Sequence, residues 1–260
     1  MIGHGVAIAL YTFREAVRNK ILYSILFFAI ALMGLGLAIG PASLDQDTRI
    51  LVDVGLFALW FFSNVVAIFV GVTMVFMELE RKTVYTVLSK PVHRPVYFVG
   101  KFVGVGTLLL VQVAFMATTL TTLMAVRGDP VPSALFAAYW LILMESLIVA
   151  AVALFFSSFS TPYVSGFLTL GLWVVARLIP ELQAFLPELV EDGTGPVLIG
   201  ILTTVVNVWP DMTYFTVTTQ VTYGLGVPFE YVWNATLYAA GYLLILLSTG
   251  SWIFQRRDFI

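Results

Sequence analysis

The chain has no cysteine, which excludes a disulfide framework, a thiolate nucleophile and cysteine-held metal, and leaves the redox compartment open. Its two histidines, His4 and His93, cannot assemble a zinc site or a Ser/His dyad within a bilayer. Charge is scarce as well. Only 11% of residues are Asp, Glu, Lys or Arg, about half the share of an average soluble domain. The net charge of −2 gives no reason to expect a nucleic-acid partner. A phosphate-binding G-x-x-x-x-G-K-[ST] loop is also missing: Phe102 follows Gly100-Lys101, and the earlier glycine is absent. The chain is therefore expected to be no enzyme, to carry no cofactor, and to take any energy of nucleotide hydrolysis from another polypeptide. The eight methionines are scattered and read as apolar filler rather than copper ligands, so no metal site is expected.

What the sequence does contain is apolar length. Hydrophobic residues make up 60% of the 260, and mean hydropathy is +0.98. Six runs approach the roughly twenty residues needed to cross a bilayer: 21–40, 54–77, 102–126, 134–156, 163–178 and 231–254. The fifth is the shortest. Ahead of them, Val6, Leu10, Phe13 and Val17 line one face of an amphipathic segment that ends in Arg14, Glu15, Arg18 and Lys20. Such a helix belongs in the membrane interface. The run 21–40 exceeds a signal-peptide core and is followed by no small-residue cleavage site, so a retained first span is expected.

The loops fix an orientation. Arg14, Arg18, Lys20, Arg81, Lys82, Lys90, Arg94, Lys101, Arg256 and Arg257 fall on one side, against Arg49, Arg127 and Arg177 on the other. By the positive-inside rule the first side, with both termini, is cytoplasmic, which in a bacterial cell means the inner membrane. The outer loops are acidic, carrying Asp45, Asp47 and Asp53 in the first and Glu181, Glu188, Glu191, Asp192 and Asp211 in the last, residues 179–230. Within that last loop, residues 196–208 are apolar but too short to span. A seventh span there would put Arg256 and Arg257 outside, so a re-entrant or interfacial hairpin is expected.

The densest positive charge lies at 78–101, ELERKTVYTVLSKPVHRPVYFVGK, with Arg81, Lys82, Lys90, Arg94 and Lys101 against Glu78 and Glu80. Val84, Val87 and Leu88 recur at helical spacing, and Pro91 and Pro95 end the pattern. A short basic helix of this kind either fixes topology or docks a cytoplasmic partner. The positions Glu80, Thr83, Val87, Leu88, Ser89, Pro91, Arg94, Gly100 and Lys101 resemble the hallmark of ABC type-2 (ABC-2) exporter permeases. Lys82 departs from it, standing where a Gly is common. The segment Tyr11-Thr12-Phe13-Arg14-Glu15 with Arg18-Asn19-Lys20 is similar to that family's elbow helix, and Phe254-Gln255-Arg256-Arg257-Asp258-Phe259 to its usual ending. The resemblance covers essentially the whole chain.

It implies one all-α permease domain, residues 1–260, with six transmembrane helices, an elbow helix at 1–20, a cytoplasmic coupling helix in the 78–101 loop, and a long outer loop with short re-entrant helices. It further implies a second permease copy or homologue and a separate ATP-binding subunit that holds ATP and Mg. The ATPase contact would be made by Glu80, Arg81, Thr83, Val84, Val87, Leu88, Ser89, Pro91 and Arg94. The elbow residues Phe13, Arg14, Glu15 and Arg18 would sit beside it, and Glu78 or Glu80 could pair with Arg14 or Arg18. Cargo would move outward by alternating access between the second and fifth spans of two subunits.

Polar residues inside the spans are the candidates for the path. Asn64 and Gln112 read either as path residues or as interhelical hydrogen-bonding groups. Glu145, near the middle of the fourth run, reads either as a functional acid or as a buried one bonded to a neighbouring helix, through Ser or Thr. If it carries protons, the chain is an ion-coupled secondary transporter instead. Arg177 is expected to pair with Glu181 one turn on, or to meet an anionic headgroup or substrate. Aromatic residues of the second and fifth runs, among them Phe57, Trp60, Phe61, Phe167 and Trp173, suit a lipidic or amphipathic cargo and equally suit lipid contact or packing. A membrane subunit that transmits force without transporting anything is a further reading.

Overall fold

The computed structural model describes residues 2–39, 47–80, 94–191 and 195–256. Among these the regular structure is helical throughout. In chain order the helices are α1 (Ile2–Val17), α2 (Lys20–Ile39), α3 (Asp47–Glu80), α4 (Arg94–Arg127), α5 (Ala134–Ser157), α6 (Pro162–Arg177), α7 (Ile179–Glu191) and α8 (Pro196–Val208). A 3₁₀ turn at Met212–Phe215, a short α9 (Thr218–Thr222) and α10 (Phe229–Arg256) complete the described residues.

Helix α5 is the centre. It packs against α3, α4, α6 and α10, and its residues from Leu141 to Leu154 are nearly all buried. Small residues allow this. A Cβ on Gly71 of α3 would stand 2.6 Å from the Ala153 Cβ and 3.2 Å from the Ala150 carbonyl, so α3 and α5 approach almost backbone to backbone. Outside this core, α2 lies along α3, and α1 lies across the first turns of α4.

Helices α3 and α4 have 34 residues each, about 51 Å at the standard rise, well beyond a hydrocarbon core of about 30 Å. Their excess length corrects two loop boundaries. Asp47 and Asp53 are helical residues of α3 rather than loop, and Thr222 donates to Asp53. At the other end α4 already begins at Arg94, with Pro95 in its first turn where a missing N–H costs nothing. Lys101 is therefore not a loop charge; it is fully buried on α4, with Tyr11 and Tyr97 ring centres 6.0 and 5.8 Å from its Nζ. Gly128, at φ +78°, stops α4 with a left-handed turn in which the Asp129 N–H donates to the Met124 carbonyl at 3.0 Å.

Among the described residues, five helical stretches are long and apolar enough to cross a membrane, in α3, α4, α5, Val197–Thr222 and α10, or up to seven if each bent pair counts as one span. The bent pairs are α1 with α2, turned by 63°, and α6 with α7, turned by 62°. Helix α6, with 16 residues, is about 24 Å long, which explains why the fifth run looked short. Helix α8 coincides with the 196–208 segment, has 13 residues, and packs on α7.

Candidate functional site

Glu145 is fully buried on α5, and a carboxylate cannot sit unpaired in an apolar core without a large cost. The fold supplies three donor nitrogens from two helices. Trp60 Nε1, on α3, donates to both carboxylate oxygens at 2.9 and 3.0 Å. Trp173 Nε1, on α6, donates to Oε1 at 3.1 Å. Arg177 Nη2, in the last turn of α6, spans both oxygens at 3.1 and 3.0 Å. The other guanidinium nitrogen, Nη1, donates to the Thr216 hydroxyl just after the 3₁₀ turn. The guanidinium carbon lies 4.3 Å from the centre of the Trp60 ring, and the two indoles are 5.3 Å apart. Cation–π attraction and ring packing thus brace the same ion pair.

Chain length explains why these residues meet. Helices α5 and α6 are joined by the tight turn at 158–161. Glu145 lies twelve residues before Ser157 and Arg177 fifteen after Pro162, heights of about 18 and 22 Å above the turn. Arg177 also complements the C-terminal end of the α6 dipole.

The expected Arg177–Glu181 pair is replaced by this one. Helical i,i+4 spacing fails across Leu178 because α7 leaves the line of α6 by 62°, and Glu181 is exposed in the first turn of α7. The Ser or Thr partner expected for Glu145 is likewise replaced by two indoles and a guanidinium. Sequence reasoning had noted Trp60 and Trp173 only as aromatic bulk and missed Thr216 altogether. The available signal was depth, counted from the shared turn.

The remaining path candidates stay apart from this cluster. Asn64 is fully buried, and its Nδ2 donates to the Trp60 carbonyl of its own helix at 2.9 Å. Gln112, also buried, reaches across from α4 to the Phe62 carbonyl at a long 3.5 Å. Among the described residues, no three His, Cys, Asp or Glu side chains gather as a metal site would require.

Beside the ion pair, the segment 209–222 is stitched to the bundle by polar contacts. Trp209 Nε1 donates to the Leu172 carbonyl of α6 at 3.1 Å, and the Asp211 N–H to the Tyr238 hydroxyl of α10 at 2.9 Å. Tyr231 donates to the Tyr214 carbonyl at 2.8 Å. Asp211 caps the 3₁₀ turn, accepting from the Thr213 N–H at 2.8 Å.

At the opposite end of the molecule, α1 is seated on α4 by shape. A Cβ at Gly104 would stand 2.6 Å from the Thr12 Cβ and 2.7 Å from the Ala9 carbonyl, and one at Gly100 would stand 3.2 Å from the Gly5 carbonyl. Gly100 and Gly104, a small-xxx-small pair, are the floor of this crossing. Phe13 packs against the main core; Arg14 and Arg18 are exposed, and Glu15 is half-buried. Arg81, Thr83, Val84, Val87, Leu88, Ser89 and Pro91 lie outside the described residues, as do the side chains of Glu78, Glu80 and Arg94. Their expected contacts, including a Glu78 or Glu80 pair with Arg14 or Arg18, therefore have no described geometry. What is described is the frame: α3 ends at Glu80 and α4 begins at Arg94.

A family model described as "ABC-2 family transporter protein" matches residues 6–259. No curated protein matches the chain. With the family match running from α1 through the last described helix and beyond, the chain belongs to the ABC-2 family of transporter proteins.

Proposed function

We propose that this chain is the permease subunit of an ATP-driven exporter, working as a dimer with a separate ATP-binding subunit beneath each copy. The observation that carries the reading is the family match over residues 6–259, on a chain whose own sequence holds no nucleotide-binding loop. In this reading α2, α3, α4, α5, α6 and α10 are six spans, α1 is the interfacial elbow, and α7 with α8 is the outer re-entrant hairpin. Both termini and residues 81–93 are cytoplasmic, and the latter make the contact with the ATPase. ATP and Mg bind that partner.

The exposed face of α3 and α6 supports a subunit contact and path there. It presents Phe57, Phe61, Phe167 and Val174 beside an apolar cleft of about 510 Å³ lined in part by Val65, Phe69 and Tyr163. Cargo sliding along such a wall would be lipidic or amphipathic. The ion pair is integral to the wall rather than a shuttle: a proton-carrying Glu145 would have to release two indoles and a guanidinium in every cycle. The secondary-carrier reading is the weaker for that reason. A force-transmitting subunit without cargo would use the same coupling.

The test is mild extraction of the tagged chain and identification of what accompanies it. An ATPase should co-purify and be lost when Val84, Val87 and Leu88 are made acidic. Absence of any ATPase, with proton-dependent flux abolished by Glu145→Gln, would overturn the proposal.

A further inference from the structure

We propose that the seam between α3 and α4 is a buried water-binding site, in which ordered water bridges Ser63 of α3 to Gln112 of α4 and extends to Asn64. Ser63 and Asn64 are wholly buried, and Gln112 is 5% exposed. Each carries an oxygen shut off from solvent and without a hydrogen-bond partner among the described residues: Ser63 Oγ, Asn64 Oδ1 and Gln112 Oε1. Buried polar atoms in this condition are rare and costly in folded proteins. Between membrane-spanning helices there is no bulk water to relieve the cost.

Chain geometry brings the three oxygens to one seam. Gln112 Nε2 approaches the Phe62 carbonyl at 3.5 Å, beyond the usual range of a hydrogen bond. That carbonyl belongs to the same peptide unit as the Ser63 N–H. The Ser63 hydroxyl and the Gln112 carboxamide therefore flank one backbone group from two helices without bonding to each other. A separation just too wide for direct polar contact is where a bridging water fits. Each residue turns the helix by about 100°, so Ser63 lies between Phe62, on the α4 side, and Asn64.

The free valences also suit water. The amide nitrogens of Asn64 and Gln112 already donate to the Trp60 and Phe62 carbonyls, which leaves their oxygens as acceptors, while Ser63 can donate or accept. One water joins Ser63 to Gln112, and a second, bonded to the first, donates to Asn64. Each then has the minimum of two partners that buried water needs. Charge disfavours a cation in the same place. The three side chains are neutral, and the nearby carboxylate, Glu145, already has Arg177. The inference depends only on α3 and α4 lying in a membrane and would survive loss of the exporter reading.

The experiment is X-ray hydroxyl-radical footprinting of the full chain in lipid nanodiscs, read by peptide mass spectrometry. Radicals formed from bound water label the side chains beside it even where bulk solvent does not reach. Met116 stands one turn from Gln112 on the same strip of α4 and is fully buried, as are Met33 and Met124. Met116 should be oxidised several-fold faster than the other two. That excess should be lost in Ser63→Ala with Gln112→Leu, which removes the polar atoms in pairs and so should leave the melting temperature unchanged or raised. Should the double variant not fold, Ser63→Ala alone carries the test and should bring the Met116 rate toward that of Met33. Equal rates at the three methionines in the wild type, or an excess that survives the substitutions, would overturn the proposal. So would a wild-type melting temperature that is higher in sodium chloride than in choline chloride at equal ionic strength, with the difference gone in the variant, because that would mark a cation instead.

Discussion

Two helices of sixteen residues, α1 and α6, are held by opposite means. At the elbow, α1 is fixed to α4 by the near-contact of Gly100 and Gly104 with Gly5, Ala9 and Thr12. Helix α6 is fixed by a buried charge, with Arg177 and Trp173 converging on Glu145 and Trp60 closing the cluster from α3. Shape holds without direction and tolerates small slides. A buried carboxylate held by three oriented donor nitrogens has one good geometry and a steep cost on either side of it. The C-terminal half of α6 is thus held by oriented polar contacts, while α1 is held by close backbone packing on α4.

That difference is open to being broken, and the largest effect should come from the acid. Glu145→Ala leaves Arg177 without its counter-charge and should cost about 3–5 kcal/mol, seen as a large fall in melting temperature in detergent. Next comes over-packing at the elbow. Gly104→Val should cost about 1–3 kcal/mol and raise amide exchange in α1 while leaving α6 protected. Trp173→Phe removes one indole donor and keeps the ring, so it should cost about 1.5–3 kcal/mol for a hydrogen bond to a charged group; equal protection of α6 in both proteins would count against the clamp. The smallest effect belongs to Thr216→Val, about 1 kcal/mol or less, with faster exchange confined to the segment 209–222.

The two regions also differ in how far the sequence disclosed them. Helix α1 was readable from the amphipathic face of Val6, Leu10 and Phe13, because periodicity is a local property. Glu145 could be singled out as an intramembrane acid, since apolar neighbours on both sides make any carboxylate conspicuous. Its partners could not. They lie 85, 28 and 32 residues away, and the local rule pointed Arg177 toward Glu181, across a bend that the run of apolar residues conceals. The span boundaries of α3 and α4 were too short for a related reason: Asp47, Asp53, Arg94 and Lys101 are polar yet helical, and hydropathy cannot distinguish a polar helix end from a loop. Residues 196–208 were legible as a short helix, because a thirteen-residue apolar segment ends at Trp209-Pro210.

The claim on which the rest of the account leans is that Glu145 and Arg177 work as a pair inside a permease rather than as a proton carrier and a free cation. The most direct measurement is a double-mutant cycle with Glu145→Gln, Arg177→Gln and both together, read by unfolding free energy in detergent. The account predicts that each single change is strongly destabilising and that the double variant recovers stability, with a coupling of at least about 2 kcal/mol, and that it still exports. Additive single effects, together with proton-dependent transport lost in Glu145→Gln at unchanged stability, would contradict it.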